Sequence, residues 1–154
     1  MPKIVMVSYL NTIPFLNGLD SNILDHDFNV IKRIPSDCAE LFKSGQANIA
    51  LLPVAAIPEL PKHSIVSDFC IGCEGAVRTV VIFANRPINE LDLIYLDNDS
   101  RSSILLSKIL FKEYYEQNVV FKKEEINTSK LPSNAGILMI GDKVFEHEGK
   151  FKTK

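Results

Sequence analysis

Between Lys3 and Leu60 the chain alternates short apolar runs with helix-like segments, and that rhythm limits the fold more than any other feature. Lys3-Ile-Val-Met-Val-Ser8 is apolar and rich in β-branched residues, the mark of a buried strand. Tyr9-Leu-Asn-Thr12 follows; Thr12 ahead of Pro14 reads as a helix start, and Gly18 makes that helix short. Phe28 to Ile34 alternates apolar and polar residues and reads as a second strand. Pro35-Ser36-Asp37 then breaks the chain, with Ser36 in an imperfect capping arrangement. Cys38, Leu41 and Phe42 form a helical apolar stripe that Ser44-Gly45 terminates. Ile49 to Leu52 is a third strand and Pro53 to Leu60 a short helix. A β-α-β-α-β-α order implies a parallel sheet, because parallel neighbours require a crossover between them.

The second half continues in kind. Val66 to Ala84 is a long extended stretch kinked at Gly72 and Gly75, and Ile94 to Asp97 is another strand. Ser100-Arg-Ser-Ser103 caps an amphipathic helix from Ile104 to Tyr115, with Leu105, Ile109 and Phe111 among its apolar positions. Val119 to Lys122 and Gly136 to Ile140 are strands, the latter feeding Gly141-Asp142. Two βα groups meet near Asn85-Arg86-Pro87, which divides the chain into lobes 1–84 and 85–154. Glu146 to Lys154 is polar and Lys-rich and is expected to fray.

Composition excludes several classes. A formal net charge of −2 and the absence of a Lys/Arg cluster argue against a nucleic-acid surface. No apolar run reaches the roughly 20 residues that span a bilayer; Ile49 to Leu60 is broken by Pro53 and Pro58. The N-terminus lacks signal-peptide features, so a cytoplasmic location is expected. Cys70 and Cys73 form a C-x-x-C in an apolar, strand-like context. Two thiols are half a zinc site, and His26, His63 and His147 stand at no ligand spacing. Buried or half-buried structural thiols and no metal are the expectation. Nucleophile-elbow, phosphate-loop, dinucleotide and metal-helix motifs are absent.

Polar groups gather instead at the C-terminal ends of the expected strands, where open α/β sheets bind ligands. Ser8, Asn11 and Thr12 follow the first strand; Asp99, Ser100, Arg101, Ser102 and Ser103 follow the Ile94 strand; Gly141 and Asp142 follow the Ile140 strand. The Ser100–Ser103 turn offers N–H groups and hydroxyls suited to a carboxylate. Each also has a purely structural reading: a helix cap for Ser100 to Ser103, a turn for Asp142, an Asx-turn for Asn11, a solvent-facing or hinge-pairing role for Arg78.

Taken in order, these segments resemble a known family. Val7-Ser-Tyr-Leu-Asn-Thr-Ile-Pro14 is similar to the opening of the chorismate dehydratases of the futalosine route to menaquinone. Gly72-Cys-Glu-Gly-Ala-Val-Arg-Thr-Val80, Leu96-Asp-Asn-Asp-Ser-Arg-Ser-Ser103 and Leu138-Met-Ile-Gly-Asp142 resemble three further segments of that family. The resemblance runs from Lys3 to about Phe145. It implies a type II periplasmic-binding-protein-like α/β fold, two βα lobes with a cleft between them. It also implies a lyase that needs no cofactor and removes water from chorismate to give 3-[(1-carboxyvinyl)oxy]benzoate. On this reading Ser100, Arg101, Ser102 and Ser103 bind one substrate carboxylate, and Ser8 and Thr12 are further substrate-binding residues. Asn11 and Thr79 would orient the hydroxyl and the enolpyruvyl group. Glu74, Asp142 and a substrate carboxylate all remain candidates for the base.

Family members continue well beyond the Gly-Asp motif, so the second crossover is expected to be incomplete here. The expected consequences are an unpaired edge and uncovered apolar surface, which a homodimer or domain swap would cover. A non-catalytic carboxylate-binding protein and an inactive shortened member are the alternative readings.

Overall fold

Strand β1 (Lys3–Val7) is the middle strand of an all-parallel, three-stranded sheet in the computed structural model, which describes residues 1–20 and 28–154. His26 lies outside the described residues. Strand β2 (Asn29–Arg33) pairs on one side of β1 and β3 (Ile49–Ala50) on the other, with Ile4 opposite both Val30 and Ile49. Both faces of β1 are covered, which is why it reads as a continuous apolar run. Ile4 and Met6 pack with Leu16 of helix α1 (Ile13–Asp20), while Val5 and Val7 pack with Cys38 of helix α2 (Pro35–Lys43).

The helix boundaries correct the sequence reading in detail. Thr12 does not cap α1: it closes a 3-10 turn, Leu10–Thr12, that runs directly into the helix, which is short as expected, eight residues with Gly18 inside it. Helix α2 starts at Pro35, with extended Ile34 before it. Its C-terminus is as expected: Gly45 takes φ +73°, and Gln46 and Ala47 N–H groups both donate to the Leu41 carbonyl. Val54–Glu59 is a short 3-10 helix.

The long extended stretch expected from Val66 to Ala84 is a strand only at its end, β4 (Val80–Ala84). The physical reason is composition: Ser67, Gly72, Gly75 and Thr79 interrupt the apolar positions, and Ser67 and Gly75 both take positive φ. The strand belongs to a second sheet of order β4-β7-β5-β6, with β5 (Leu93–Tyr95), β6 (Val120–Lys122) and β7 (Ala135–Ile140). Strands β5, β6 and β7 are parallel and β4 is antiparallel to β7. The described chain is thus an α/β protein whose compact units divide between Glu74 and Gly75, because β4 makes its ladder with β7.

One face of the second sheet packs Ala84, Leu91, Ile94, Leu96 and Leu138 against Phe111. Gly136 permits this: a Cβ there would lie 3.0 Å from Ile82 Cγ2 and Ile94 Cδ1 and 3.1 Å from Leu91 Cδ1. Helix α3 (Ser102–Ile109) continues as a π-helical turn, Leu110–Tyr114, that delivers Phe111 to this core. Leu105 and Ile109, apolar positions of the expected amphipathic helix, are 49% and 48% exposed, so α3 presents an apolar outer face.

The opposite face packs Val81, Phe83, Met139 and Val144. Here the C-terminal residues depart from expectation, for they are not frayed. Phe151 stacks on Phe83 with ring centroids 5.1 Å apart, and Thr153 and Ala84 exchange backbone hydrogen bonds of 2.9 and 3.1 Å. A single aromatic residue in a Lys-rich segment carries the anchor. Cys70 and Cys73 are both exposed, contrary to the buried thiols expected; the thiol that is fully buried is Cys38. Burial, and then the neighbouring Asp37 charge, push the Cys38 thiol up to about 11.

Two outcomes are expected from these packings. Phe151→Ala should lower unfolding free energy by about 1–2 kcal/mol in urea titrations, less than a fully buried Phe because the ring is half-buried. At neutral pH a thiol reagent should modify Cys70 and Cys73 at once and Cys38 only in denaturant. Immediate modification of Cys38 would mean that α2 does not seal against β1.

Candidate functional site

Strands β5 and β7 run parallel, so both end on the same side of the second sheet, and β4, antiparallel to β7, begins there. Three segments therefore converge on one edge: Thr79 entering β4, the Asp97–Ser103 turn leaving β5, and Gly141–Lys143 leaving β7. Gly141 takes φ +76°, a conformation natural to glycine, and its N–H donates to the Thr79 carbonyl at 2.9 Å.

Asp97 organises this edge. Strand β5 stops at Tyr95, opposite Ile137, and the Ile140 N–H donates to Asp97 Oδ2 at 2.9 Å. Asp97 Oδ1 accepts from the Asp99 N–H at 3.0 Å and from Lys143 Nζ at 2.9 Å, and Oδ2 lies 2.8 Å from the same ammonium. Lys143 also donates to Asp99 Oδ2 at 3.0 Å. The Asp97 side chain is only 4% exposed, so its charge is compensated by one ammonium and two backbone donors. Burial works to lower the Lys143 pKa. The hydrogen bonds to Asp97 and then Asp99, with their charges, outweigh it and hold the ammonium above its ordinary value.

The turn after Asp97 is built on serines. The Ser100 N–H donates to the Asp97 carbonyl at 3.2 Å, and buried Ser100 Oγ accepts from the Ser103 N–H at 3.2 Å. Ser100, just before the N-cap residue Arg101, thus takes one free N–H of the first turn of α3, while Arg101, Ser102 and Ser103 are half-buried. Ser103 also opens onto an apolar groove of about 560 Å³ with Val80, Ile82, Leu106 and Leu110. Asp142 is exposed beside Lys143.

In the first unit, Ser8 is exposed and its N–H donates to the Arg33 carbonyl at 2.9 Å, continuing the β1–β2 ladder. Asn11 is exposed on the 3-10 turn and lines a hollow of about 980 Å³ with Met6, Phe15, Ile49 and Phe69. Thr12 is fully buried, and its hydroxyl oxygen has no partner among the described residues. A hollow so apolar does not by itself suit a dicarboxylate, which needs donors and positive charge.

The fold therefore gathers Thr79, Ser100 to Ser103 and Asp142 at one sheet end, and Ser8, Asn11 and Thr12 after β1. Glu74 joins neither group; it is exposed in an irregular segment. Arg78 pairs with Glu148 at 3.3 Å and lies over the Phe145 ring at 5.4 Å. Asp97 and Lys143 were missed as site residues. A lone acid directly after an apolar strand was a readable signal for Asp97; nothing in the sequence marked Lys143.

The sign of the Lys143 linkage is testable. A raised folded pKa means the stabilisation is present below the unfolded value of 10.5 and is lost as pH rises through the folded one. Denaturant titrations should show stability falling above about pH 10.5 more steeply in the wild type than in Lys143→Gln. Parallel curves would mean the ammonium contributes nothing.

Among the described residues no helix is long and apolar enough to cross a membrane, and no group of His, Cys, Asp or Glu is arranged to hold a metal ion. A family model described as menaquinone biosynthesis matches residues 2–154. A chorismate dehydratase from Thermus thermophilus is 24% identical over 120 residues, 77% of this chain and 44% of that protein. The match thus spans under half the length of that relative. With its sequence matched from residue 2 to residue 154, the chain belongs to the menaquinone biosynthesis family.

Proposed function

We propose that the chain acts on chorismate as a chorismate dehydratase, a carbon–oxygen lyase of the futalosine route, with a type II periplasmic-binding-protein-like fold and a cytoplasmic location. The reading is supported above all by the convergence of Thr79, the Ser100–Ser103 turn and Asp142 on one sheet end in a chain of this family. The relative named chorismate dehydratase points to the same substrate.

The chemistry suits such a site. Chorismate carries two carboxylates, so binding calls for donors more than for a strong nucleophile. Removal of the C3 proton leaves charge that spreads into the ring carboxylate through the adjacent double bond. The electron pair left at C3 then closes the C3–C4 double bond as the C4 hydroxyl departs with the C4–O bonding pair. The hydroxyl takes up a proton as water, and the ring becomes aromatic. Nothing is oxidised or reduced, so no redox cofactor is required. The Ser100–Ser103 turn, with Arg101, receives one carboxylate, Ser100 shaping it by accepting the Ser103 N–H. Ser8 and Asn11 are further proposed substrate contacts, Asn11 and Thr79 being the residues proposed to orient the hydroxyl and the enolpyruvyl ether. Thr12, fully buried, would act only through the 3-10 turn that carries Asn11. Asp142, Glu74 or a substrate carboxylate takes the proton; what supports Asp142 is that it follows Gly141, whose N–H donates to the Thr79 carbonyl.

Incubation with chorismate, followed by chromatography and mass spectrometry, should yield 3-[(1-carboxyvinyl)oxy]benzoate, one water lighter than the substrate. Asn11→Ala should lower kcat/KM about tenfold or more; full turnover in that variant would remove Asn11 from the site. Binding without turnover would favour a carboxylate-binding protein, the reading that the partial coverage of the relative keeps in view. Neither binding nor turnover in folded protein would sink the substrate reading.

A further inference from the structure

The carboxylate of Asp97 does something that neither family membership nor the substrate reading assigns. Where β5 ends, its Oδ2 takes the Ile140 N–H at 2.9 Å, the place on β7 that a neighbouring strand's carbonyl would otherwise fill. Its Oδ1 takes the Asp99 N–H at 3.0 Å, and its main-chain carbonyl takes the Ser100 N–H at 3.2 Å. Lys143 closes the loop, bonding Asp97 and Asp99 at once from the turn after β7. One buried side chain thus fixes the start of the Ser100–Ser103 turn and the start of the Gly141–Lys143 turn against each other.

We infer that Asp97 is a positioning residue: by extending the β7 ladder past the end of β5 it sets the spacing between the carboxylate-holding turn at Ser100–Ser103 and Asp142. The inference rests on the substrate reading above and adds to it the group that aims those two turns. A serine turn alone is an ordinary helix cap. Tied to the end of β7 by a buried charge, it becomes one half of a rigid frame. The arrangement also explains why an acid stands here: an amide of the same shape has one acceptor oxygen and cannot take the Ile140, Asp99 and Lys143 donors on both sides.

The test compares Asp97→Asn and Lys143→Gln with the wild type. Titration calorimetry uses the product 3-[(1-carboxyvinyl)oxy]benzoate, which keeps both carboxylates and is not consumed. Below the melting temperature of each variant it should give a dissociation constant about tenfold or more above wild type for D97N. K143Q keeps both backbone donors on Asp97 and should raise the constant by a smaller factor. In amide NMR spectra of D97N, Ile140 and Asp99 should shift as they lose a charged acceptor, and Ser102, Ser103 and Asp142 should shift with them. A role in stability alone would lower the melting temperature and leave both the dissociation constant and the Ser102, Ser103 and Asp142 amides unmoved; that result overturns the inference. If D97N does not fold, K143Q decides, and wild-type affinity there overturns it equally. A wild-type chain that binds neither chorismate nor this product removes the substrate reading and this inference together. A wild type that binds, beside a D97N that binds as well, removes the inference alone.

Discussion

Ile140 lies one pairing step beyond the reach of β5, and its N–H is buried where no strand carbonyl is in register to meet it. Asp97 resolves that problem with a side chain, and the distinctive features of the second unit depend on that solution. The charge it brings must be compensated, which places Lys143. Lys143 has a second carboxylate within reach, which holds Asp99, and Asp99 opens the serine turn that caps α3. Desolvating a buried carboxylate is offset only while its donors are in place, and removing one leaves a charge in a medium that cannot solvate it. The edge is therefore stiff for the same reason that it is vulnerable.

How far could this be seen in the sequence? The strands announced themselves where both faces are covered, because β1 from Ile4 to Val7 and β7 must then be apolar on both faces. The end of α2 was legible because Gly45 supplies a positive φ that other residues resist. Reading stopped where long-range pairing decides. Residues 66–79 carry apolar side chains, but Ser67, Gly72, Gly75 and Thr79 interrupt them, and the ladder with β7 begins only at Val80. The Lys-rich end looked frayed because composition averages over a segment, whereas a single ring, Phe151, on a single partner, Phe83, settles its place. Cys70 and Cys73 were misjudged for the same reason: an apolar context in sequence is not a buried one in space.

The candidate site divides along the same line. Ser8, Asn11, Ser100 to Ser103 and Asp142 can be proposed from sequence because they stand just past the C-terminal ends of apolar runs, a local signal. The link from Asp97 to Lys143 joins residues far apart in the chain, and only the parallel pairing of β5 with β7 brings them within a hydrogen bond. Thr12 shows the opposite limit. Its type and position suggested a cap, and the fold used it as a buried element of a 3-10 turn.

The strand order of the second sheet has a consequence for how that unit is assembled. Strand β7, the last in sequence, lies between β4 and β5, so the pairing open to the earlier strands of that sheet is that of β5 with β6. Until residues 135–140 are in place, β4 has no partner and its five residues, Val80 to Ala84, are an open apolar edge. Formation of the sheet then requires two distant closures at nearly the same moment, β7 onto β4 and β7 onto β5. This is a topology rich in non-local contact, and it ties the folding rate of the unit to the arrival of a single central strand.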